Sequence, residues 1–398
     1  LSLRLYENAV MGKSWQTRLI HPDVGVPEGY RSLATPVYRG STTLFASAAA
    51  VSDRWDQERV GYTYGLYGTP TTLELAARIC ALEGGRHTIL TPGGQSAISL
   101  IDLALLECGD HMLVPRSIYH PNRLLAISML ARFGVTTTFY DPLIGAGIAG
   151  LIEPKTRLVW VESPGSVTME VQDVAAIAQA AHARGVTVVL DNTWSAGVLF
   201  DAFAHGVDVT MQAITKYIGG HSDLLLGSVT VRDDALYQKL GAARQVVGCA
   251  VSPDDCSLAL RGLQTLGVRL SAVEKSALEI AHRLAARPEV ERVLHPALPS
   301  CPGHEFWKRD FTGSSGVFSV VLRPGPARER VFAFVDALQL FEVGYSWAGT
   351  TSLAVAYTIG SGPDRPSYGH RLVRFSIGLE STTDLIADIE RALEALRE

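Results

Sequence analysis

The chain has 398 residues, 47% of them hydrophobic, which is enough to bury a sizeable core and suggests about two or three domains. A formal net charge of −5 provides no electrostatic footprint for nucleic acid. Five scattered cysteines without Cys-x-x-Cys spacing argue against a disulfide framework or a zinc site, and the lack of long apolar runs or a signal-peptide core points to a cytoplasmic protein.

In chain order, Thr88-Ile-Leu90 reads as a strand leading through Thr91-Pro-Gly-Gly-Gln-Ser96 into an apolar helix that ends near Glu107-Cys-Gly109. The small residues of the run Gly93-Gly94-Gln95-Ser96 let the backbone approach an anion, and the helix that follows offers unpaired N–H groups. His111 to Pro115 reads as the next strand, residues 121–133 as a helix and 135–140 as a strand. Gly145-Ala-Gly-Ile-Ala-Gly150 satisfies GxGxxG, but Asp141-Pro142 separates it from the strand and Pro154 cuts short any helix, so a nicotinamide dehydrogenase is not expected.

Arg157-Leu-Val-Trp-Val-Glu162, a helix over 173–184, the strand closing at Asp191 and Val207-Asp-Val-Thr-Met-Gln212 continue a βα series. This predicts a mostly parallel sheet covered by helices. From about Asp254 the pattern changes to a long helix, shorter strands around Gly316–Leu322 and Leu372–Ile377, and a closing helix after Asp384, which marks a second domain. Cys301 and His304 show Cys-x-x-His spacing without a second pair and read as loop residues.

Asp191 ends an apolar, β-branched run, so its carboxylate is expected at the C-terminal edge of the sheet, where open α/β sheets bind ligands. Lys216 follows in Met211-Gln-Ala-Ile-Thr-Lys-Tyr-Ile-Gly-Gly-His221, just beyond the next strand. An amine of depressed pKa condenses with a carbonyl to give a Schiff base, and a carboxylate can pair with a pyridinium nitrogen. Together they suggest pyridoxal 5'-phosphate (PLP), with Gly93-Gly94-Gln95-Ser96 and the Thr215 hydroxyl as the phosphate cradle.

The segments Glu162-Ser-Pro-Gly-Ser-Val-Thr-Met-Glu170, Asp191-Asn-Thr-Trp194, Thr215-Lys-Tyr217, His221-Ser-Asp223 and the run from His304 to Gly316 resemble the Cys/Met-metabolism PLP enzymes, specifically their β-lyase branch. The likeness extends from about Ala34 to the C-terminus. It implies an α/β, fold type I (aspartate-aminotransferase-like) protomer. Residues 1–68 would be an arm reaching the neighbouring subunit's active site, 69–262 the PLP-binding domain with a mostly parallel sheet, and 263–398 a smaller α+β domain. A homotetramer of two active-site-sharing dimers is the implied assembly.

Carried over by position, Lys216 would be the cofactor-bearing lysine, Asp191 the partner of the ring nitrogen and Tyr119 the ring that stacks on the pyridine. Gly94, Gln95 and Thr215 match phosphate contacts, and Tyr64 matches a tyrosine lent to the neighbouring subunit. Arg374 matches the arginine that holds the substrate α-carboxylate, for which a planar fork is suited. Ser346 and Trp347, in Tyr345-Ser-Trp-Ala-Gly349, match the β-lyases rather than the γ-acting enzymes. The implied reaction is β-elimination of L-cystathionine to homocysteine, pyruvate and ammonia.

One departure bears on the substrate. Relatives usually have arginine at the position of Leu66, and β-lyases often have a second at Tyr67. Their loss removes charge-assisted contacts worth about 1.5–3 kcal/mol each and leaves room for a smaller or less acidic cysteine S-conjugate as substrate. Two further readings share much of the pattern, a γ-lyase or γ-synthase of the same family and a non-catalytic PLP-fold binding protein. The second is at odds with an intact Lys216, Asp191, Tyr119 and Arg374.

Overall fold

In the computed structural model the described residues are 14–20, 32–360 and 368–397. Of the arm expected over 1–68, positions 1–13 and 21–31 therefore lie outside the described residues. Its described part lies against the large domain, where the Thr71 hydroxyl donates to the Pro36 carbonyl and accepts from the Tyr38 amide, both at 2.8 Å.

The large domain contains β1 (His87–Thr91), β2 (His111–Pro115), β3 (Thr136–Tyr140), β4 (Thr156–Glu162), β5 (Thr187–Asp191), β6 (Val209–Gln212) and β7 (Gly227–Val231). They form a seven-stranded sheet in the order β1-β7-β6-β5-β4-β2-β3, with only β7 antiparallel to its neighbours. The mostly parallel sheet expected from the βα series is thus present. Helices cover both faces, so central-strand residues such as Met112, Val159, Trp160, Val188 and Val189 are fully buried and near-continuous apolar runs are required.

β7 was not legible because Ser228 and Thr230 interrupt its apolar character, yet both are fully buried. Thr230 exchanges a 2.9 Å hydroxyl bond with Thr88 across the ladder, which satisfies a polar group that would otherwise be costly to bury. The helix expected over 121–133 begins at His120 and passes into a π-helical turn at Leu125–Leu130. Pro121 fits its first turn, where no backbone donor is needed.

The GxGxxG segment forms a 3₁₀ stretch, Gly145–Leu151, whose Ile148 packs with Val174 and Ile177 of the Val174–His182 helix. It is a packing element. Cys301 and His304 find separate backbone partners, Met169 O at 3.2 Å and Pro296 O at 2.8 Å.

The second sheet has five strands: β8 (Val290–Leu294), β9 (Val317–Leu322), β10 (Glu342–Val343), β11 (Leu353–Ile359) and β12 (Gly369–Ser376). Its order is β10-β11-β12-β9-β8. The 33-residue Pro253–Ala285 helix runs through position 262/263 and contributes to the cores of both parts. Its start is well specified: Ser252 caps the amides of Asp254 and Asp255, and Pro253 occupies the first turn. Among the described residues no helix is long and apolar enough to cross a membrane.

Candidate active site

β1, β4, β5 and β6 run in one direction, so the segments leaving their C-terminal ends converge on one edge. β1 delivers Gly94 and Gln95 at the start of the Gly94–Leu105 helix, β4 ends on Glu162, β5 ends on Asp191, and Lys216 follows β6. The second sheet closes over that edge and brings Arg374 and Trp347. Between them lies a cleft of about 1210 Å³ lined by Gly94, Tyr119, Asp191, Lys216, Trp347 and Arg374, among others.

Asp191 is tied at Oδ1 by the Thr193 amide at 3.0 Å and the Thr193 hydroxyl at 2.5 Å. The same hydroxyl accepts from the Ala213 amide at 2.9 Å and so links the segments after β5 and β6. Burial raises Asp191 above the ordinary carboxylate range, while the Thr193 bonds and the nearby Lys216 charge pull it back down. Tyr119 is 43% exposed and presents its ring to the cleft, and its amide donates to Glu162 Oε2 at 2.6 Å.

Lys216 Nζ donates to Ser346 Oγ at 2.8 Å and lies 5.4 Å from the centre of the Trp347 ring. Burial lowers the amine to about 8; the Arg374 charge acts in the same direction and Asp191 opposes it. Trp347 is held by an edge contact with Tyr217, 5.5 Å between centroids, and is followed by Ala348 in the left-handed region at φ 68°. A non-glycine residue in that conformation is uncommon, and here it turns the chain directly behind the indole.

Arg374 sits on the central strand β12, 7% exposed, and one terminal nitrogen donates to the carbonyls of Tyr345 at 2.6 Å and Ser346 at 3.2 Å. Its guanidinium also lies 5.3 Å from the centre of the Tyr357 ring. Two bonds to the Tyr345–Ser346 backbone therefore couple the arginine to the segment that holds Lys216.

At the opposite end, the first intrahelical bond of the Gly94–Leu105 helix runs from the Ala97 amide to Gly93 O at 3.1 Å, so the amides of Gly94, Gln95 and Ser96 precede it. The turn admits no larger residues at two points. A β-carbon on Gly94 would lie 2.7 Å from the Ala213 β-carbon, and one on Gly227 would lie 2.4 Å from Gly93 O. The Thr215 hydroxyl donates to Leu226 O and accepts from Leu226 N, both at 3.1 Å, while Thr215 also lines the cleft.

Tyr64 is 44% exposed and lies outside the lining of this cleft. Leu66 and Tyr67 are held by Arg244, whose guanidinium donates to their carbonyls at 2.9 and 3.1 Å. The Tyr67 ring is buried and its hydroxyl accepts from Gln245 at 3.0 Å, so this side chain points into its own protomer.

The structure thus brings Lys216, Asp191, Tyr119, Gly94, Gln95, Thr215, Arg374, Ser346 and Trp347 together and leaves Tyr64 apart. Glu162, Thr193 and Tyr357 were not singled out in the sequence. Glu162 does carry a usable signal, since it closes β4 as Asp191 closes β5. The donor set fits PLP: helix-start amides for a phosphate, a carboxylate for the ring nitrogen, a tyrosine for the ring face and a lysine of lowered pKa for the aldehyde.

A mixed sheet with such a cleft at its C-terminal edge defines an α/β PLP enzyme of the aspartate-aminotransferase-like class. Residues 16–394 match the Cys/Met metabolism PLP-dependent enzymes, and the chain belongs to that family. It is 40% identical to the cystathionine β-lyase MetC of Escherichia coli K12, over 95% of this chain and 98% of that protein. Identity to the cystathionine β-lyase of Bordetella avium is also 40%, over 94% of each chain. The crystal structure of cystathionine γ-lyase from Lactobacillus plantarum, complexed with L-serine, superposes with a TM-score of 0.87 at 27% identity, covering 96% of this chain and 99% of that one.

Proposed function

We propose that the chain is a carbon–sulfur lyase that cleaves L-cystathionine by β-elimination, giving homocysteine, pyruvate and ammonia. The observation that carries this reading is the placement of the Lys216 amine, lowered to about 8, between Asp191, Arg374 and the Ser346–Trp347 pair. The β-lyases similar over nearly the whole chain support it.

In this reading Arg374 takes the substrate carboxylate in its planar fork, and the amides of Gly94 and Gln95, with Thr215, hold the cofactor phosphate. Tyr119 covers the cofactor ring and Asp191 keeps the ring nitrogen protonated. Bound PLP supplies an electron sink for the charge that develops at the α-carbon. Lys216 removes the α-proton onto Nζ and returns a proton to the departing sulfur, with Ser346 Oγ fixing the amine between these tasks. Trp347 walls the cleft beside the Cβ–Cγ portion of the substrate.

The test is keto-acid analysis of PLP-supplemented protein with L-cystathionine and, in parallel, L-cystine. Pyruvate from cystathionine supports the reading; 2-oxobutyrate would assign a γ-lyase. Buried Tyr67 and aliphatic Leu66 favour a second reading, a smaller or less acidic cysteine S-conjugate, which pyruvate from cystine alone would identify. No keto acid from either would point to a synthase or a non-catalytic relative.

Two further results are expected. Arg374→Lys keeps the charge but loses the fork, so kcat/KM should fall about 10–100-fold, mainly through KM, in steady-state assays. An unchanged KM would place the carboxylate elsewhere. The rate at which Lys216 captures added PLP should rise roughly tenfold per pH unit below about 8 and level above it, because only the neutral amine is nucleophilic. A profile that levels only near the ordinary lysine value of 10.5 would contradict the assignment.

The arm, cofactor domain and smaller domain are proposed to divide near residues 68 and 262, and the assembly to be a homotetramer of two dimers. Exposed Tyr64, outside its own cleft, supports its being lent to a neighbour. Reassembling Tyr64→Ala with Lys216→Ala subunits should restore activity through mixed dimers; no recovery would speak against sharing.

A further inference from the structure

Glu162 closes β4 and Asp191 closes β5, and the two residues are register partners in the parallel ladder. Registered residues of neighbouring strands point to the same face of a sheet, with strands about 4.8 Å apart. Two carboxyl groups therefore leave the same edge side by side, and both line the cleft. Asp191 is tied by Thr193, whereas Glu162 accepts the Tyr119 amide at 2.6 Å.

This bond reaches across from β4 to the segment after β2 and fixes the N-cap residue of the His120–Leu124 helix. On the helical side, the Tyr119 carbonyl accepts from the Arg123 amide at 3.1 Å. The backbone of Tyr119 is thus held on both sides while its ring is half exposed to the cleft.

We propose that Glu162 is a positioning residue for cofactor capture: its carboxyl holds the Tyr119 amide, and with it the tyrosine ring, over a cofactor ring whose nitrogen faces Asp191. The proposal rests on the reading of Tyr119 and Asp191 given above. Burial, and then the Asp191 charge, push Glu162 well above the ordinary carboxylate range. The Tyr119 bond opposes that shift, and it needs only an acceptor oxygen, which a side-chain amide supplies without a second negative charge beside Asp191. Glutamine should therefore replace Glu162 closely.

The test is titration of the PLP-stripped full chain with PLP, read by absorbance, alongside the melting temperature of the stripped protein. Glu162→Ala is expected to weaken PLP binding about tenfold with little change in melting, because the Tyr119 amide bond lies at the exposed wall of the cleft, where water can replace the lost acceptor. Glu162→Gln should stay within about threefold of wild type. In a Tyr119→Ala background the loss from Glu162→Ala should vanish, because the two residues act through one another.

Wild-type affinity in Glu162→Ala, a tenfold loss in Glu162→Gln, or an undiminished loss in the Tyr119→Ala background would each overturn the proposal. If Glu162→Ala fails to fold, Glu162→Leu, similar in volume and without an acceptor, carries the same expectations. No sulfur substrate enters this experiment, so it is independent of the cystathionine assignment. Unchanged affinity in Tyr119→Ala alone would remove the stacking role and the proposal with it.

Discussion

Lys216→Ala is expected to reduce keto-acid formation at least about 10³-fold while leaving the fold intact. The proposed role gives the side chain two tasks, attachment of the cofactor and transfer of the α-proton, and loss of a positioned general base alone typically costs 10²–10⁴-fold. Lys216 lies within bonding distance of Ser346 Oγ at 2.8 Å, and its amine is brought to about 8, near working pH. Truncation leaves Ser346 exposed, so water can replace the lost donor and stability should change by about 1 kcal/mol or less. Product analysis and a thermal melt of the same preparation check both halves. Retained steady-state lyase activity would contradict the role of Lys216.

Asp191→Asn should lower kcat/KM by about 10²–10³-fold, the range seen when one preorganised electrostatic partner of a reacting centre is removed. The substitution is nearly isosteric. Its amide oxygen can still accept the Thr193 amide and hydroxyl, which approach Oδ1 at 3.0 and 2.5 Å, so the strand end should keep its shape. What disappears is the negative charge that favours a protonated ring nitrogen, and with it the ability of the ring to draw electrons from the α-carbon. PLP affinity should fall as well. Steady-state kinetics and PLP titration of the stripped protein measure the two effects; values within about threefold of wild type would assign the nitrogen to another group.

Much of the large domain was legible because its central strands are buried on both faces. His111–Pro115 and the Asp191 strand read as short apolar runs, with turn signals and helical periodicity between them. β7 was not, since its buried Ser228 and Thr230 are polar to local inspection and are satisfied only by the ladder, through Thr88 in the case of Thr230. The small domain was legible only in part: β10 is two residues long, and β8 mixes exposed charges with buried valine.

The chemistry of the site was carried by residue identity in ordered motifs. Lys216, Asp191, Gly94 and Arg374 could be named because lysine, carboxylate, glycine turn and guanidinium each suit one task. Glu162 was passed over: a carboxylate in a motif shows neither which strand its own is paired with nor which amide it will meet. The register with Asp191 and the bond to Tyr119 join segments distant in sequence.

Tyr67 makes the same point from the opposite direction. Sequence alone shows an aromatic residue at a position where relatives carry a cation; the structure shows it buried and fastened by Arg244 and Gln245. The sequence by itself determined the fold class and the family and named the candidate reacting groups, because periodicity and side-chain chemistry are local properties. Only the tertiary structure decided which groups face one another, how far burial shifts Lys216 and Glu162, and which side chains turn away from the cleft. Those depend on strand register, desolvation and the closing of one sheet over the edge of another.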